Sequence, residues 1–145
     1  MNAGGLWFEH AERARYTDLR AVMERFLTVY RKHQAILRAA AETAAYDADI
    51  EQLYQRMIGR FRAESTRAVR RIAEAGRAHR QLPPMLADVL SWSTDYCYVN
   101  FGTTMREQDL EGLLDAMTHV VWYSIFAEAP GAEDQGGPPV TSSRT

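Results

Sequence analysis

Apolar residues recur along this chain every three to four positions, the period of an α-helix, with no convincing two-residue alternation of a half-buried strand. The first sustained stripe is Leu19, Val22, Met23, Phe26, Leu27 and Tyr30. It predicts a helix opening at Thr17-Asp18, residue types suited to an N-cap. A break near His33 leads into a short Ala-rich helix over 34–45, anchored by Ile36 and Leu37. The longest stripe runs Ile50, Leu53, Tyr54, Met57, Ile58, Phe61, Val69 and Ile72. Asp47 can cap that helix, Asp49 and Glu51 suit its positive end, and Gly76 can stop it. Pro83-Pro84 separate it from a helix over 84–101 that ends at Gly102. The last helix covers 107–127, with Leu110, Leu113, Leu114, Met117 and Val121 on one face. Ahead of all these, 6–13 reads as the tail of a longer helix.

These elements predict an all-α bundle of about five to six helices in one domain, 14–129. Residues 1–13 are expected to be a flexible start or the remnant of a connecting helix. After Pro130 the composition turns to Gly, Pro, Ser and Thr, so 130–145 is expected to be a disordered tail. At 145 residues, with 46% hydrophobic and 25% charged residues, the chain can build a core. Its formal charge of −2 argues against a free-standing nucleic-acid binder, whose affinity comes from neutralising phosphates. Sixteen arginines to one lysine (Lys32), with much alanine, suit a GC-rich bacterial genome. A single cysteine, Cys97, excludes an intramolecular disulfide and suits a reducing cytosol. No apolar run approaches the roughly 20 residues of a membrane span, and the start lacks signal-peptide character. A soluble, cytoplasmic protein without membrane contact is expected.

The search for catalytic chemistry is largely negative. No glycine-rich phosphate loop, nucleophile elbow or paired-cysteine metal site is present, and no cofactor or metal is expected. His10, His33, His79 and His119 fall in four different segments. Asp115 and His119, four apart, read as a surface hydrogen bond, and Cys97 as a small core residue. The basic run Arg60, Arg62, Arg67, Arg70, Arg71, Arg77 and Arg80 is spread around its helix and reads as a solvated face.

The informative pattern is a set of matched faces. Leu19, Met23, Phe26 and Tyr30 follow spacings of four, three and four. So do Tyr54, Ile58, Phe61 and Ser65, while Ser91, Thr94, Asp95 and Tyr98 share one side of their helix. Aromatic stripes of this kind fill cores, but they also line small-molecule pockets that carry a few polar groups. Ser91, Thr94 and Asp95 interrupt an otherwise apolar segment, and an uncompensated buried carboxylate is costly. Their face therefore meets either water in a cavity or solvent outside. A second signal is surplus apolar surface on the last two helices. Val89, Trp92, Tyr96 and Val99 on one, with Leu113, Leu114, Met117, Val120, Val121 and Ile125 on the other, suggest a two-fold four-helix interface.

Four stretches then carry a resemblance: DLRAVMERFLTVYRKHQAILRAAAETAAYDADI (18–50), LYQRMIGRFRAESTRAVRRI (53–72), ADVLSWSTDYCYVNFG (87–102) and LLDAMTHVVWYSIFA (113–127). In helix lengths and order, 14–127 resembles the C-terminal domain of TetR-family transcriptional regulators. The resemblance implies a hydrophobic ligand tunnel between the helices over 17–33, 47–76 and 84–101. Phe26, Tyr30, Tyr54, Ile58, Phe61, Ser91, Thr94, Asp95 and Trp122 would form or support its wall. It also implies a homodimer through the last two helices. The helix-turn-helix head of the family has no counterpart here, so no direct DNA contact is expected from the chain as given. The expected function is sensing of a small, mainly apolar effector that controls DNA binding by an attached or partner head. The alternative is an interaction module that pairs with an intact regulator without a ligand. A bundle enzyme using Asp95 and Tyr98 is a remote third.

Overall fold

The computed structural model describes residues 9–79 and 81–131, and of Tyr54, Met57 and Ile58 the backbone alone. Within them lie α1 (Tyr16–Lys32), α2 (Gln34–Ala44), α3 (Ala48–Glu74), α4 (Leu86–Cys97) and α5 (Leu110–Ile125). A 3-10 turn, Ala11–Arg13, precedes α1, and another, Glu107–Asp109, leads into α5. α4 runs on into a π-helical turn, Tyr98–Gly102. The only strand-like pairing among the described residues is one bridge, Ala78 to Phe126. The fold is all-α, as the periodicity predicts. From residue 132 on, the expected tail lies outside the described residues, as do residues 1–8 of the expected connector remnant.

Local chemistry sets the helix ends. Asp47 caps α3 as expected, its Oδ1 accepting from the backbone N–H of Asp49 (2.9 Å) and Ile50 (3.3 Å). α1 begins earlier than Thr17-Asp18. Asp18 is not the cap but the acid one turn inside, and its carboxylate accepts the Arg15 N–H at 2.9 Å, so Arg15 takes the N-cap position. α4 starts two residues after Pro84, because the Leu86 N–H first closes a turn onto the Pro83 carbonyl (3.0 Å). Gly76, with φ of 74°, ends α3 in the left-handed conformation that glycine adopts at no steric cost. The Arg77 N–H then reaches back to the Ile72 carbonyl at 3.1 Å.

α1 packs along α5, and α3 lies against both α2 and α4. The core fills the space between with Leu19, Val22 and Leu27 of α1, Ile72 of α3, Tyr98, and the inner face of α5. Gly102 is packed so tightly that a Cβ there would meet Leu27 Cδ1 at 2.5 Å. Its carbonyl accepts from the Arg31 guanidinium at 2.7 Å, which ties the π-helical turn to the end of α1. α2 contributes no buried residue and rests on α3 as an outer layer.

Arg77 joins three distant parts of the chain. Its guanidinium donates to the carbonyls of Glu12 (3.0 Å) and Ala14 (2.9 Å) and lies 4.9 Å above the Phe126 ring. Its own carbonyl accepts from the Ala127 N–H at 3.0 Å, and the His79 N–H donates to the Ile125 carbonyl at 3.0 Å. The segment before α1, the end of α3 and the end of α5 thus meet at one side chain. Arg62 is likewise not a solvated charge. It pairs with Asp88 of α4 at 2.7 Å, and this hydrogen bond holds the Asp88 carboxyl below its ordinary range.

Candidate functional site

α1 places Phe26 and Tyr30 one turn apart, facing Phe61 of α3 and Ser91, Thr94 and Asp95 of α4. Between these helices lies a cavity of about 190 Å³, closed further by Val29, Leu37, Trp92 and Val99. A smaller cavity of about 40 Å³ sits deeper and reaches Val121 and Ile125 of α5. The two share Phe26, Phe61, Ser91 and Thr94 as walls. At the division the Phe26 and Phe61 rings meet edge to face, with centroids 5.3 Å apart and planes at 75°.

Thr94 donates to the Leu90 carbonyl one turn back (2.8 Å), and the Tyr30 hydroxyl donates to Asp95. These bonds explain how α4 turns the Thr94 hydroxyl and a carboxylate inward without the full cost of stranding them. The lining is otherwise aliphatic and aromatic, the make-up of a small-molecule site. Its volume is below the roughly 300–1,000 Å³ of pockets for drug-sized ligands, so the free space suits a small guest.

Of the nine wall residues expected from the sequence, Phe26, Tyr30, Phe61, Ser91, Thr94 and Asp95 come together around the larger cavity. The side chains of Tyr54 and Ile58 lie outside the described set. Trp122 is placed elsewhere. It stacks on Phe126 with centroids 3.8 Å apart, meets Tyr16 edge-on at 5.6 Å, and donates its indole N–H to the Glu128 carbonyl at 2.9 Å. That makes it part of the core beside Arg77 rather than a wall. Trp92 and Val99, expected on the apolar partner face of their helix, instead line the cavity, where with Asp95 they follow the i, i+3, i+7 spacing of one helix face, and sequence reasoning missed Val29 and Leu37. Tyr98, on the face assigned to the polar set, is fully buried and donates to the Met23 carbonyl at 3.0 Å. Burial pushes its hydroxyl well above the ordinary tyrosine range. Asp95 and Tyr98 are therefore committed to different partners and form no acid–base pair.

The residues expected at a subunit interface divide into two groups. Val89, Tyr96 and Val120 are 55%, 61% and 46% exposed, and Leu113 is half-buried. Leu114, Met117, Val121 and Ile125 instead turn inward and are buried in the chain's own core. The spacing 114, 117, 121 is the inner stripe of α5, and 113, 120 belongs to its other side. Asp115 pairs with Arg20 of α1 (3.0 Å) and not with His119, whose ring lies 4.4 Å from that of Tyr123. Cys97 is partly buried against the core. Among the described residues no cluster of His, Cys, Asp or Glu could hold a metal ion, and no helix is long and apolar enough to cross a membrane.

Over residues 19–127 the sequence matches a family model described as transcriptional regulator EthR, C-terminal domain. Among curated proteins and among solved structures nothing matches the chain.

Proposed function

Since the chain belongs to the family of EthR-type C-terminal domains, ligand-binding and dimerisation domains of TetR-type transcriptional regulators, we propose that it senses a small, mainly apolar effector in the cavity between α1, α3 and α4. The family is one of regulators and not of enzymes. The observation that carries the reading is the cavity itself: an aliphatic and aromatic chamber of about 190 Å³ with the hydroxyls of Ser91 and Thr94 and the Asp95 carboxylate on one wall. The effector would act through a homodimer formed by the exposed sides of α4 and α5, centred on Val89, Tyr96, Leu113 and Val120. The smaller cavity, which shares four wall residues with the larger one, touches Val121 and Ile125 of α5. Preferential binding to one dimer arrangement would shift an attached or partner helix-turn-helix head, in the cytoplasm, between states of different DNA affinity. Only differential affinity for the two arrangements can do so.

Two experiments test this. In a thermal-shift screen of small apolar compounds, at least one raises the melting temperature of the wild-type protein. Ser91→Phe, which places a ring in the wall shared by both cavities, weakens that compound about tenfold or more while the protein stays folded. A folded protein unmoved by the whole panel would count against the sensor reading. For the dimer, Val120→Glu puts a carboxylate at the centre of the apolar face and converts dimer to monomer in sedimentation velocity. A variant that sediments as the wild type does would remove this face from the assignment.

A further inference from the structure

The basic run that periodicity spread around its helix separates in the structure into two sets. Arg62 is turned to Asp88 of α4, and Arg77 lies beyond the helix against the carbonyls of Glu12 and Ala14. The arginines that stay on the outside of α3 fall together. α3 is continuous from Ala48 to Glu74, so Arg56, Arg60, Arg67 and Arg70 share one arc of roughly 80° along about 21 Å of helix. All of them are exposed. Arg71 stands at the edge of this arc, with its guanidinium on the Glu9 carbonyl. Acids nearby are few. Glu64 lies at the edge and approaches Arg60 only to 4.0 Å, while Asp49 and Glu74 lie beyond the two ends. The formal charge of −2 for the whole chain thus conceals a concentrated positive ridge.

What lies between the arginines selects the partner. Gly59 and Ala63 occupy the same side of the helix, and a Cβ on Gly59 would meet nothing within 4 Å. A protein interface is anchored by aromatic or large apolar side chains, and a membrane-surface helix needs an apolar face to insert. Between Arg56 and Arg70 this arc offers neither. A phosphodiester backbone asks only for positive charge, planar donors that bridge two oxygens, and a low surface to approach. Arginines separated by glycine and alanine supply all of these. We propose that the outer face of α3 is a sequence-independent contact for the phosphate backbone of duplex DNA, made by Arg56, Arg60, Arg67 and Arg70. It stands apart from the cavity and from what fills it. A few cations neutralise about three or four phosphates, enough for weak, salt-sensitive binding but not for choosing a sequence.

The test is fluorescence anisotropy of a labelled duplex of about 20 base pairs titrated with the full chain. Binding is measurable at about 25 mM salt and differs less than about twofold between two unrelated sequences. It weakens roughly 40- to 150-fold by about 100 mM, the loss that three or four released counterions produce. Arg67→Gln with Arg70→Gln lowers the slope of log affinity against log salt by about 2, and Arg67→Glu with Arg70→Glu weakens binding about tenfold or more at low salt. Arg25→Glu with Arg106→Glu changes the net charge of the chain equally at exposed positions off α3, and leaves binding within about threefold. Circular dichroism shows each variant as helical as the wild type. Absence of binding at low salt would overturn the proposal. Binding that survives both α3 variants would place the contact elsewhere and overturn it too. Poly-glutamate of matching charge that competes as well as unlabelled duplex would overturn it in favour of an acidic protein partner.

Discussion

Trp122→Ala lowers the stability of the domain by about 3–5 kcal/mol, the usual cost of truncating a buried tryptophan, and leaves the cavity between α1, α3 and α4 lined as before. The size follows from what the indole touches. It is 2% exposed, stacks on Phe126, meets Tyr16 edge-on, and its N–H donates to the Glu128 carbonyl. Removing it opens a void between α1 and α5, unpairs that carbonyl, and takes away the ring that keeps Phe126 flat beneath Arg77. None of these contacts belongs to the residues lining either cavity. Urea unfolding shows the loss as a lower midpoint at unchanged slope. Any probe that binds the wild-type cavity keeps its affinity within a few-fold at low denaturant. A loss below about 1 kcal/mol, or a selective loss of ligand affinity without loss of stability, would return Trp122 to the wall of the site.

Arg77→Ala costs about 2–4 kcal/mol, a value set by two charge-assisted hydrogen bonds to main-chain carbonyls and a ring contact. The carbonyls of Glu12 and Ala14 lose a donor in a part-buried place, and Ala11 and Ala14, both fully buried, are no longer held against the ends of α3 and α5. Arg77→Lys recovers only part of the loss, since an ammonium cannot bridge two carbonyls and lie flat on Phe126 at once. Amide hydrogen exchange distinguishes this account from a general loss of stability. Protection falls first and most in 11–14 and 125–127, before the centres of α1 and α3 respond. Uniform loss across the domain would mean that Arg77 does not clamp those segments.

The parts of this architecture visible in the sequence are those fixed by local rules. Asp47 announces the start of α3 because a cap needs only a short polar side chain and the next three N–H groups. Gly76 announces its end because a left-handed residue is needed there. The α1 stripe gives the buried set Leu19, Val22, Met23 and Leu27 directly, since that helix has one apolar side. α5 is apolar on more than one side, so periodicity finds the helix but not which stripe turns inward. That is why Leu114, Met117 and Val121 were expected outside and are found in the core. The roles of Arg77 and Trp122 depend on partners across the chain or in irregular backbone: Glu12 and Ala14 lie 65 and 63 positions from Arg77, and Trp122 bonds a carbonyl beyond the end of its own helix. No spacing rule reaches such contacts. The cavity lies between these cases. The six expected residues that the structure brings around it sit at helical spacings on three helices, but whether such stripes enclose space or fill it depends on how closely the helices approach, and that is a property of the assembled bundle.

α2 contributes no buried side chain, yet its Leu37 closes one side of the chamber. A layer with no buried side chain is expected to open below the free energy of global unfolding, because the cost of a local fluctuation scales with the surface it uncovers. On the proposed sensor reading, a guest would exchange through this side while the α1–α5 core stays intact, and the lifetime of the occupied state would follow how often α2 lifts. A guest that touched Leu37 would slow that motion, and its residence time would then record the stability of one thin helix rather than of the whole domain.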